Sequence, residues 1–105
     1  MQIFGMRIGK TDPITKAIDE AIDLLEEQEF DEAIRVLREK GLGRNPEHRR
    51  TRLHLGIAYM LKGDLDEAES VIRPLTEQRH MDSEKAAAEI ALEKIASDRA
   101  KKSDG

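Results

Sequence analysis

Gln28-Glu29-Phe30-Asp31-Glu32-Ala33 and Gly63-Asp64-Leu65-Asp66-Glu67-Ala68 state one theme twice, 35 residues apart. A period near 34 residues, with a turn signal and then an acidic, alanine-containing helix start, marks a helix–turn–helix unit. One such unit cannot bury its apolar face alone, so consecutive units stack and share a core. The repeat therefore predicts an all-α stacked-helix architecture whose extended surface binds other molecules.

The positions before and after the second theme sharpen this. Leu55-Gly56-x-x-Tyr59, Gly63, Ala68 and Ile72 alternate small and large residues where two helices nearly touch. This pattern resembles the tetratricopeptide repeat, with Ile72 where that family usually has Phe. Aligning Ala33 with Ala68 sets Glu20, Ala21 and Leu24 opposite Leu55, Gly56 and Tyr59, a weaker first copy. Arg52 stands at the family's Trp position and His80 at its closing Pro. Pro46 falls one place late, which predicts a single-residue insertion within Gly41-Leu42-Gly43-Arg44-Asn45. The resemblance covers roughly Ile14 to Ala100. It implies a right-handed α-solenoid of two tetratricopeptide-like helix pairs plus a C-terminal capping helix.

Composition agrees with a small helical domain. In 105 residues, 38% are charged and 3% aromatic, so the core must be built from Ile, Leu and Ala. Without cysteine there is no disulfide framework, thiol catalysis or sulfur-based zinc site. No apolar run approaches the ~20 residues a membrane span needs. Met1 to Lys10 lacks the charged-then-apolar order of a secretory leader, so the reading expects a cytoplasmic protein.

Five helices follow from the periodicity. Asp12-Pro13 supplies a cap and a first-turn residue, and Ile14, Ile18, Ala21, Ile22 and Leu25 continue at helical spacing to about Gln28. Asp31 is expected to cap a second helix that stops at a left-handed Gly41. Asn45-Pro46 is expected to start a third, central helix through Leu61, and a fourth runs from about Asp66 past Pro74 to Leu75. The fifth begins near Asp82-Ser83, with Ala86, Ala87, Ile90, Ala91 and Ile95 as its apolar stripe. The division is 1–11, an N-terminal arm, flexible or bound in the groove; 12–48, first repeat; 49–82, second repeat; 83–101, capping helix; 102–105, frayed tail.

In the family the first helix of each pair lines a concave groove. Carried across, that implies Ile18, Ile22 and Leu25 from the first helix and Arg50, Leu53, His54, Ile57, Met60 and Leu61 from the third. The same residues also admit a purely structural reading, as core of a two-repeat stack. Ile18 and Ile22 stand where carboxylate-gripping members carry Lys and Asn, so a carboxylate clamp is rejected. The arm, with Ile3, Phe4, Met6 and Ile8, is itself a candidate occupant. Burying those four contributes ~6–12 kcal/mol, against ~8–16 kcal/mol for ordering eight residues, so it would be displaceable.

Charge is segregated. Asp19 to Glu32 holds eight carboxylates and no cation, whereas Arg35 to Arg52 is strongly basic. With a net charge of −4 and no aromatic residues between the arginines, nucleic acid is a remote alternative. The basic loop is instead read as pairing with nearby acidic helices, neighbouring molecules or an acidic protein partner, with Arg44, Arg49 and Arg52 steering association more than fixing affinity. His48 and His54 are six apart and do not share the i, i+4 face of a metal pair. The acidic helix face reads as solvated surface and not as an acid–base set. No cofactor, metal or enzyme activity is assigned. The expected function is that of an adaptor or scaffold binding a partner peptide or amphipathic helix in an apolar groove. The alternative is self-assembly, with the groove filled by the chain's own arm or by a second copy.

Overall fold

The computed structural model describes residues 12–104, so the N-terminal arm lies outside the described residues. Five helices follow in order: α1 Pro13–Glu26, α2 Phe30–Val36, α3 Arg49–Lys62, α4 Leu65–Ile72 and α5 Ser83–Asp104. No strand occurs among the described residues. A π-helical turn, Leu37–Leu42, extends α2, and a 3-10 turn, Arg73–Thr76, extends α4.

The caps explain the boundaries. Asp12 accepts from the Thr15 amide at 2.8 Å, and Pro13 fills the first turn, where no intrahelical donor is needed. α1 and α3 end in the same turn. The Glu29 amide returns to the Leu24 carbonyl at 2.8 Å, and the Asp64 amide returns to that of Tyr59 at 2.9 Å. Each turn needs a left-handed residue, which is Gly63 at φ 101° in the second copy and Gln28 at φ 63° in the first. The repeated theme is thus a repeated helix stop followed by a repeated helix start.

Several boundaries differ from the sequence reading. Asp31 lies inside the first turn of α2, whose cap position is Glu29. Gly41 is neither left-handed nor a stop. It is buried in the π-helical turn, where a Cβ would lie 2.6 Å from Thr51 Cγ2. The wide turn closes bonds five residues apart and so holds the extra residue that the late Pro46 signals. α3 starts three residues after Pro46, because Asn45 caps a local turn by accepting from the Glu47 amide. His48 Nδ1 accepts from the Thr51 amide and takes the helix cap instead. In α5 the inward face is Ala88, Ala91 and Ile95, while Ala86 is exposed and Ile90 is 68% exposed. Alanines on both sides of the helix leave hydropathy unable to choose the face, and packing on α3 and α4 decides it. The helix also continues through 102–104.

α3 is the hub, packing most extensively on α4 and also touching α1, α2 and α5. Its tightest contact is at Gly56, where an added Cβ would fall 2.2 Å from Ile72 Cγ1 and 3.5 Å from the Ala68 carbonyl oxygen. Tyr59 is buried beside it and accepts from Arg38 Nε at 2.8 Å, with the guanidinium 5.6 Å from the ring centre. Pro74 falls in the 3-10 turn, which keeps Leu75 in the core after the α-helix has ended.

Gly56→Ala should destabilise the protein although alanine favours helix by about 1 kcal/mol, because overpacking costs roughly 1–3 kcal/mol. Urea unfolding of Gly56→Ala, Ile72→Ala and the double variant should show the pair to be less damaging than the sum of the singles. Gln28→Gly should raise stability by about 1 kcal/mol by relieving a left-handed non-glycine residue, and Gly63→Ala should lower it similarly.

Candidate functional site

The short reversals make α1, α3 and α5 parallel, and ion pairs fix their ends. Arg49, opening α3, donates to both carboxylate oxygens of Asp82, just before α5, at 2.5 and 2.7 Å, and to the Leu75 carbonyl at 2.9 Å. Farther along α5, Arg99 reaches Asp66 at 2.6 Å and Glu69 at 2.7 Å on α4. Lys62, closing α3, meets Asp31 on α2 at 2.7 Å.

On α3 one sector is left open. Arg50, His54, Ile57 and Leu61 recur at helical spacing and none is buried, with Leu61 51% exposed. Thr15 of α1, Arg50 of α3 and Glu84 of α5 line one shallow recess, so these three helices begin level with one another. Advancing by the same rise from that tier sets Asp19 beside His54, then Ile22 beside Ile57, then Glu26 beside Leu61. The face is polar over its first two tiers, its apolar residues Ile22, Ile57 and Leu61 fall in the last two, and carboxylates border it on the α1 side. His54 is anchored by a 2.9 Å contact of Nδ1 with the Arg50 carbonyl.

The residues assigned to a groove by sequence divide in two. Ile22, Leu25, His54, Ile57 and Met60 are half-buried and Arg50 and Leu61 are exposed, but Ile18 is fully buried and Leu53 is 7% exposed. Those two are core residues, because the inward arc of each helix is wider than a groove assignment by position allows. The sequence does not assign Glu84 of α5 to the groove, yet it lies beside Thr15 and Arg50. Its repeat spacing after Arg50 was a usable signal.

The arginines do not form one patch. Arg49 and Arg52 line a cleft of about 510 Å³ beside Pro74 and Leu75, together with Glu47 and Glu77. Arg44 lies in a different recess with Lys16 and Glu20. Arg35 is held by Glu32 and Glu39, Lys40 by Glu20, and Arg52 reaches the Val71 carbonyl at 3.4 Å. Among the described residues no group of three or more His, Cys, Asp or Glu is placed to hold a metal. None of their helices is long and apolar enough to cross a membrane.

This architecture is that of an all-α helical-repeat protein. The family profile described as tetratricopeptide repeat matches residues 24–92, more than half of the chain, and the chain belongs to that family. Its repeats generally mediate protein–protein interactions and are typically non-enzymatic. No curated protein and no solved structure matches the chain significantly.

Arg49 holds the Asp82 carboxyl well below the usual carboxylate range, mainly through its hydrogen bonds, with the Lys85 amide adding to the effect. A depressed carboxyl stabilises the fold above its unfolded pKa and loses that contribution as pH falls toward the folded value. Asp82→Asn should therefore lower Tm at neutral pH. The gap from the parent should narrow as pH is lowered from the ordinary carboxylate range, as thermal scans across a pH series would show.

Proposed function

We propose that the protein is a noncovalent adaptor that captures a peptide or helix of another protein on the open face of α1, α3 and α5. The observation that carries this reading is the sector of α3 left open among the described residues, where half-buried Ile57 and exposed Leu61 stand among polar side chains. Half-buried Ile22 at the same level of α1 extends the apolar band across two helices. A partner that buries such a band gains hydrophobic energy at roughly 25 cal/mol per Å². Apolar groups at helical spacing suit a helix laid into the face.

The reading assigns no turnover chemistry. Of the three His side chains, His48 is committed to the α3 cap and His54 to the Arg50 carbonyl, while His80 lies 3.9 Å from a Glu77 carboxylate that Arg79 already engages at 2.8 Å. A nucleic-acid partner is disfavoured because most cations between Arg35 and Arg52 are engaged by carboxylates, by Tyr59 or by main-chain carbonyls. The proposed site of action is the cytoplasm.

Ile57→Glu with Leu61→Glu tests the face at one half-buried position that packs against the core and one exposed position. Crosslinking capture from cells should lose a partner that the parent retains, with helicity and Tm nearly unchanged. Equal capture by both proteins would remove the open face from the mechanism. Unfolding of the double variant would assign the two side chains to the core, and Leu61→Glu alone would then retest the face at its most exposed position.

A further inference from the structure

The open face has a charge asymmetry that specifies the chemistry of its occupant. α1 carries four carboxylates and a single cation, Lys16. Among the described residues only Glu20 of these is paired, with Lys40 of the π-helical turn. Asp19, Asp23 and Glu26 are exposed and make no ion pair. Their spacing of four and then three residues places them in one ridge along α1, beside the Ile22–Ile57–Leu61 band.

Resting on the adaptor reading above, we propose that the occupant is an amphipathic helix with a row of Lys or Arg flanking its apolar face, seated so that the row lies over Asp19, Asp23 and Glu26. A helix fits because the site presents an apolar stripe and an acidic stripe side by side and parallel. A helix displays two adjacent stripes on one side, whereas successive residues of an extended strand point to opposite faces, so its cations and apolar groups would not meet this surface together. Arg50, at the first tier and without an ion pair among the described residues, repels a cationic row that continues past Asp19. The row therefore belongs over the middle and last tiers. The carboxylates steer association and select sign, while the apolar band supplies most of the affinity.

The test uses two synthetic helices with the same Leu/Ile face, one flanked by lysines and the other by glutamates, titrated against the full chain by fluorescence anisotropy. The lysine helix should bind about tenfold more tightly at low salt, from three exposed charge pairs, and its advantage should shrink as salt rises. The triple variant Asp19→Lys, Asp23→Lys, Glu26→Lys should reverse the preference. Equal binding of both helices, or an unchanged preference in the triple variant, overturns the proposal.

If neither helix binds while Ile57→Glu with Leu61→Glu still loses its cellular partner, the face stands and the basic helix falls. If the lysine helix binds that double variant as well as the parent, both readings fall. A peptide of residues 1–11, which holds Arg7 and Lys10 and no carboxylate, would overturn the proposal by displacing the lysine helix at lower concentration than an unlabelled copy does. A concentration-dependent dimer abolished by the triple variant would likewise overturn it, in favour of a second copy.

Discussion

The close approach of α3 and α4 at Gly56 is the contact on which the rest of the structure depends. Ile72 occupies the space a Cβ would take, and Ala68 is small enough to bring its carbonyl within van der Waals reach of that position. With the two axes this close, Tyr59 is buried and turns its hydroxyl to Arg38, which ties the end of the first repeat to the centre of the second. Helix packing at such distances tolerates little change in volume, because interiors are as dense as organic crystals.

A second close contact, between Gly41 and Thr51, joins the repeats from the other side. Thr51 is fully buried, and its hydroxyl meets His48 Nδ1 at 2.8 Å, so the start of α3 is capped and docked by the same residues. The π-helical turn is what brings Gly41 there. An extra residue in a loop would have left the second helix pair's register to chain flexibility, but in a wide helical turn it becomes part of the interface. The Arg49–Asp82 and Arg99–Asp66/Glu69 links then hold α5 at two places and keep it parallel to α3. Exposed ion pairs of this kind contribute little energy singly. Their effect is on geometry, since they align α5 with α3 and α4.

That face follows from subtraction. Among the described residues α1, α2, α4 and α5 pack around α3 and leave one side uncovered, and the residues on that side are not uniformly polar. The exposure of Leu61 and the half-burial of Ile57 and Ile22 leave apolar surface on that side. The neighbouring carboxylates of α1 keep the same surface hydrated and soluble. A family whose repeats generally bind proteins supplies a biological reason for such a surface, without naming what it holds.

The sequence by itself determined the helix-pair repeat, because its evidence is local. Gly63, Ala68, Gly56 and Tyr59 act through turn conformation and near-neighbour volume, which residue identity and spacing express directly. It also placed Ile22, Ile57 and Leu61 on the first helices of their pairs. Only the tertiary structure decided that Ile18 and Leu53 belong to the core, that Gly41 is small for Thr51 and not for a left-handed turn, and that α5 buries Ala88, Ala91 and Ile95 in place of Ile90. Each of these depends on how wide an arc a neighbouring helix covers, a quantity set by interaxial distance and angle between segments distant in sequence. The pairing of Arg49 with Asp82, 33 residues away, is of the same kind. Charge composition shows that such ions are present, but only the fold decides which are consumed within the chain and which are left facing outward.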